Sequence, residues 1–145
     1  MLLVGLGASG HGDHALFAEN KGQWESPVEF RSAIPNGFLY AENNAFTFAL
    51  YDPEGLSTLH ATGKPTPEYL DAHAYRVNFS GSNTEQILPS ERTEFYENFF
   101  LGNDPNKWAS EVHSYEQLLY QGLYDVIDMK LYSREGSLKY DFTVS

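Results

Sequence analysis

From residue 28 onward the chain alternates apolar and polar residues with a period of two, and clusters of Gly, Pro, Asn and Ser interrupt that alternation at short intervals. A helix needs its apolar residues about 3.6 positions apart, so this pattern excludes helices for most of the chain and specifies an antiparallel meander. Val28, Phe30 and Ser32 alternate with Glu29 and Arg31 until Pro35-Asn36-Gly37 breaks the run. That triplet reads as a hairpin turn with Pro fixing its first residue and Gly37 in the left-handed position. Residues 38–42 form the next strand, Asn43-Asn44 the next turn, and residues 45–51 put Phe46, Phe48 and Leu50 on one face. Asp52-Pro53 has the form of a helix start, an N-cap carboxylate followed by Pro, for a helix of about two turns. Gly63, Pro65 and Pro67 make residues 61–70 an exposed connection.

The second half resumes the meander. His73, Tyr75, Val77 and Phe79 share a face expected to be buried, opposite Ala74, Arg76 and Asn78, and Ser80-Gly81-Ser82-Asn83 turns the chain into a strand over residues 84–88. Residues 94–101, EFYENFFL, are apolar on both sides and predict a central strand covered on both faces. Further strands follow over residues 112–120, 126–132 and 137–144, the last two joined by Ser133-Arg134-Glu135-Gly136. So many short strands exceed what one flat sheet holds in a chain of 145 residues. The expected fold is all-β, mainly antiparallel, as a two-sheet sandwich or strongly curled sheet with one or two short helical turns. Ten Tyr, ten Phe and two Trp predict an aromatic-rich core. Residues 17–145 read as a single domain, preceded by a lead-in over residues 1–16.

Twenty acidic against nine basic residues give a net charge of −11, which repels a phosphate backbone and makes nucleic acid an unsuitable partner. The absence of cysteine excludes disulfides, zinc–thiolate sites and thiol nucleophiles. Residues 1–10, MLLVGLGASG, match the tail of a signal peptide without its positively charged front, and they are too short for a membrane span. Export is the expectation. The last strand runs to Ser145 with no cap or turn after it, which reads as a truncation from a longer multidomain chain.

The stretch NFFLGNDPNKWASEVHSYEQLLYQGLYDVIDMKLYSREGSLKYDFTV over residues 98–144, with FAENKGQW at 17–24, YDPEGL and HAYRVNF, carries a family resemblance. It resembles an uncharacterised domain near the N-terminus of large secreted bacterial proteins that continue into SBBP or PKD-like β repeats and often a gliding-motility-type C-terminal sorting domain. The chain departs from that pattern at Asp125-Val126, where the family usually has Pro-Gly before an Ile-Asp-Leu strand. The resemblance implies extracellular or cell-surface residence and downstream domains of the same polypeptide as partners. It brings no catalytic residues with it.

No phosphate-binding glycine loop and no Gly-x-Ser-x-Gly elbow occurs. Trp24, Tyr96, Trp108, Tyr115 and Tyr132 are the candidate ligand-binding residues, since exposed rings stack on sugars and anchor interfaces. Asn103, Asp104 and Asn106 offer oxygens to a hard cation such as calcium, against the simpler reading of Asp104 as a cap. His11 and His14, with Asp13, are a sparse set for a transition metal. His73 reads as a core residue. Glu94, Glu97, Asp125, Asp128 and Asp141 would serve a glycan-active hydrolase if two of them faced one cleft. Taken together, these features lead to a non-catalytic structural or adhesive module of a secreted or cell-surface protein. The alternative is a carbohydrate-binding module that takes an extracellular glycan; another surface protein is the other partner in view.

Overall fold

A computed structural model describes residues 15–62, 71–100 and 102–145. The readings of residues 1–10, of His11, Asp13 and His14, and of residues 63–70 lie outside them. The strands are β1 (Phe17–Glu19), β2 (Val28–Ile34), β3 (Gly37–Glu42), β4 (Ala45–Tyr51), β5 (Ala72–Asn78), β6 (Gln86–Phe99), β7 (Ala109–Tyr124), β8 (Ile127–Arg134) and β9 (Ser137–Val144). A helix α1 (Pro53–Thr62) links β4 to β5, and a single 3-10 turn covers Pro105–Lys107. Asp52 caps α1 as its sequence predicts, its Oδ2 accepting from the Gly55 amide at 2.6 Å.

All pairings are antiparallel, and the nine strands make one sheet ordered β5-β4-β3-β2-β1-β7-β8-β9, with β6 along β7. β7 is the spine. One of its edges carries β6 over most of its length, while the other is shared end to end by β1, at Ser114 and Tyr115, and by β8, from Gln117 to Tyr124. Two wings therefore leave the same edge of one strand. The sheet curls until their apolar faces meet: Phe17, Phe30, Leu39, Ala41 and Phe46 of the first wing pack with Leu118, Tyr120, Leu123, Met129 and Leu131 of β7 and β8. A strongly curled sheet, of half-barrel form, is thus the outcome of the two forms expected.

Rings dominate where the wings meet. Phe46 packs edge-on against Phe79 at 4.8 Å and Tyr120 at 5.9 Å, the perpendicular geometry that aromatic quadrupoles favour. A smaller cluster of Ala18, Phe99, Ala109 and Val112, with Trp24 against it, holds the far end of the β6–β7 hairpin.

The turns follow the sequence with one exchange of roles. Asn36, at φ 59°, takes the left-handed position between β2 and β3, and Gly37 is required for a different reason: a Cβ there would overlap the Ala49 carbonyl oxygen of β4. Between β8 and β9, Glu135 (φ 52°) and Gly136 (φ 71°) form the two-residue turn whose twist suits a hairpin. Val126, between β7 and β8, also has a positive φ, 57°. A β-branched residue there is strained by about 1–2 kcal/mol, more than the entropy a glycine would lose on folding. A glycine suits a turn whose second central residue has positive φ. Val126→Gly is expected to raise stability by about 1 kcal/mol, measured as a higher Tm; a lowered Tm would contradict strain at this turn.

Two strands differ from their sequence reading. Residues 94–101 were expected to be central and covered on both faces, yet among the described residues β6 has β7 as its single strand neighbour and leaves Phe95 and Tyr96 exposed. It also begins earlier, absorbing most of the expected strand over residues 84–88. β5 was expected to bury one face, but all seven of its residues are exposed, His73 included, because it is the outermost strand of its wing. Alternation reports which residues share a face, not whether a second layer reaches that face.

Candidate functional site

The region richest in exposed rings is the far end of the β6–β7 hairpin. Among the described residues β1 pairs with β7 only at Ser114 and Tyr115, so residues 109–112 of β7 have β6 as their one strand partner and form a two-stranded arm. On this arm Tyr96 stands opposite His113 in register, ring centroids 6.1 Å apart. Phe100 and Trp108 pack edge-on at 5.9 Å, and both are exposed. Trp108 is held by its indole Nε1, which donates to the Gly102 carbonyl at 3.2 Å.

The arm is anchored by the segment after β1. Asn20 closes a tight loop by itself: its Nδ2 donates to the carbonyls of Trp24 (2.9 Å) and Val28 (2.7 Å), and its Oδ1 accepts from the amides of Gly22 and Trp24. Lys21 Nζ then reaches the carbonyls of Ser110 and Glu111 at 3.1 and 3.3 Å. Glu19 accepts from the His113 amide at 3.1 Å and from the Tyr115 hydroxyl at 3.4 Å. Burial, the nearby Glu19 carboxylate and that hydrogen bond all hold the Tyr115 hydroxyl above its ordinary pKa. The FAENKGQW motif thus works as a clasp between β1 and the arm.

Behind the arm lies a caged cation. The Arg31 guanidinium sits 4.4 Å from the Phe38 ring, 4.5 Å from Trp24 and 5.5 Å from Phe99. Desolvation lowers its pKa, opposed mainly by Tyr40. Such cation–π contacts fix the three rings in place and tie β2 to β6.

The five candidate rings therefore divide. Tyr96 and Trp108 are open, and Phe100, which the sequence reading placed in a covered strand, joins them. Trp24 is half-buried against Phe99 and Arg31, and Tyr115 is half-buried against Phe30. Tyr132 stands apart on β8, its hydroxyl on Asp141 at 3.0 Å and Lys130 over its ring.

Asp104 Oδ1 accepts from both the amide and the side-chain Nδ2 of Asn106 at 3.0 Å, capping the 3-10 turn, while Asn103, Asp104 and Asn106 are all exposed. Among the described residues no group of three or more His, Asp or Glu side chains is placed to hold a metal. Of the paired-carboxylate candidates, Glu94 and Glu97 are on β6, whereas Asp125, Asp128 and Asp141 belong to the β8–β9 side, across β7. Asp128 accepts from the Gly122 amide at 2.8 Å, where that glycine has φ 62°. Glu42 is a further buried carboxylate, at a place that the sequence reading did not single out. Thr47 and Arg76 donate to its Oε1 at 3.0 and 2.7 Å, and Arg76 Nη1 lies 2.6 Å from Oε2 in an ion pair.

A family model described as a domain of unknown function (DUF7948) matches residues 17–145. The chain belongs to this family. The match begins at Phe17, the first residue of β1, and takes in every strand of the DUF7948 domain. No curated protein and no solved structure matches the chain.

Proposed function

We propose that this DUF7948 domain is a non-catalytic adhesive module of a secreted or cell-surface multidomain protein, and that the β6–β7 arm is its contact surface. The observation that carries this reading is the exposure of Tyr96, Phe100 and Trp108 on an arm braced by the bonds of Trp108 to Gly102, of Lys21 to Ser110 and of the His113 amide to Glu19. Rings that are open yet fixed in orientation lose little entropy on binding, which is why Tyr and Trp dominate binding hot spots. A carbohydrate-binding role is the second reading, favoured by the same rings, since sugar faces stack on them. Downstream domains of the same polypeptide would flank the module.

Retention of the chain on cellulose, chitin, peptidoglycan sacculi and immobilised collagen tests both readings. Retention on at least one is expected, falling about tenfold in the Tyr96→Ala/Trp108→Ala double variant with an unchanged Tm. Selective loss on a polysaccharide supports the carbohydrate reading, and loss on collagen the protein-adhesion reading. Retention indifferent to both substitutions would remove the arm from the binding surface, and turnover of any polysaccharide would overturn the non-catalytic reading.

A further inference from the structure

The last strand leaves its core-facing row in water. Tyr140, Phe142 and Val144 are 61%, 55% and 71% exposed, although Leu131 and Met129, the register partners of the first two on β8, are buried in the core; Ile127, the partner of Val144, is half-buried. Among the described residues nothing pairs with the other edge of β9. The sheet has other open edges, and they are blunted: β6 carries Pro89 and two register irregularities, and Arg76 of β5 is engaged with Glu42. β9 has neither device, pairing with β8 in unbroken register from Arg134↔Ser137 to Ile127↔Val144.

The direction of its backbone groups is fixed. The two-residue turn makes Arg134 and Ser137 a hydrogen-bonded pair, and the Ser145 amide donates back to the Val126 carbonyl at 3.0 Å. Odd-numbered residues of β9 thus turn their N–H and C=O groups to β8, and Leu138, Tyr140, Phe142 and Val144 turn theirs to the open edge. The side chains of Tyr140, Phe142 and Val144 form the exposed apolar row, and Leu138, half-buried against the core, starts it at the turn.

Read from Tyr140 outward, β9 is complementary to itself. An antiparallel copy centred on Tyr140 sets Lys139 against Asp141, Leu138 against Phe142, and Ser137 against Thr143. Shifting the centre by one residue in either direction would oppose Lys139 to Lys139 or Asp141 to Asp141. Charge also favours this edge as a meeting place. Within a chain of net charge −11, the β8–β9 hairpin balances Lys130, Arg134 and Lys139 against Asp128, Glu135 and Asp141.

We infer that β9 is a homotypic interface, pairing antiparallel with β9 of a second copy of this chain about a two-fold axis at Tyr140. The two curled sheets then run on as one, and the two rows of Leu138, Tyr140 and Phe142 stand side by side as cross-strand neighbours. Each dimer contains the Lys139–Asp141 pair twice.

The test is sedimentation equilibrium of the 145-residue chain at near-physiological salt, from about 1 µM to about 1 mM. A concentration-dependent dimer is expected. Lys139→Asp and Asp141→Lys each put like charges together twice and should weaken it by about tenfold or more. An equimolar mixture of the two variants restores opposite charges at both positions, so heterodimers should recover the wild-type affinity. Amide exchange at Tyr140 and Phe142 should slow with rising concentration in the wild type, while Lys139 and Asp141, already bonded to β8, change little. A wild-type monomer throughout the range, a dimer indifferent to the charge changes, or a mixture that fails to recover would overturn the proposal.

Discussion

Phe17→Ala is expected to destabilise the domain by about 3–5 kcal/mol, measured by urea or thermal unfolding. The side chain is fully buried and packs with residues of both wings, and among the described residues its strand is the one strand of the first wing that pairs with β7. Removing the ring leaves a cavity where β2 and β7 have only a three-residue strand between them, so little can collapse to fill it. Against a typical total of about 5–15 kcal/mol, the loss is a large share. Phe17→Leu, which keeps most of the volume, should cost about 1 kcal/mol. A Phe17→Ala protein within about 1 kcal/mol of wild type would show that the wings are held together elsewhere.

Gly37→Ala is the second large effect. Replacing a strand glycine usually helps by about 0.5–1 kcal/mol, because the unfolded chain loses freedom. Here the added Cβ would meet the Ala49 carbonyl oxygen and carbon and the Leu50 Cα, all backbone atoms of the neighbouring strand. Unlike a side chain, that backbone moves only by disturbing the β3–β4 ladder, so the clash outweighs the entropy gain. The expected outcome is a loss of about 2–3 kcal/mol with a lowered Tm. A gain in stability would mean that the two strands separate at this point without penalty.

Sequence patterning specified the hairpins β2–β3–β4 and β8–β9 nearly residue by residue, since local turn residues and a period of two determine which residues face one another. It failed where the deciding contact was distant. β1 is three residues long and gains its place from Ser32 on one side and Tyr115 on the other, a partner no local pattern names. In β6 the double-sided apolar run of residues 94–101 suggested full cover, although Pro89 in the same strand is a marker of an edge. The candidate site was half legible. Tyr96 and Trp108 are open as an aromatic contact surface requires, whereas Trp24 is held by Arg31, a residue whose alternation made it look like any solvent-side charge. Whether a ring is open or caged depends on what the sheet's curl brings behind it.

The sharing of one β7 edge between β1 and β8 also sets the order in which the chain can fold. Each wing is built from strands adjacent in sequence, so each meander forms by short-range closures that cost little entropy. Joining them is different: the Glu19–Tyr115 contact spans 96 residues, so the ladder between β1 and β7 closes only after a long search. The docking of β1 is therefore expected as the slow step of refolding, leaving the apolar faces of the two half-sheets incompletely covered until it happens.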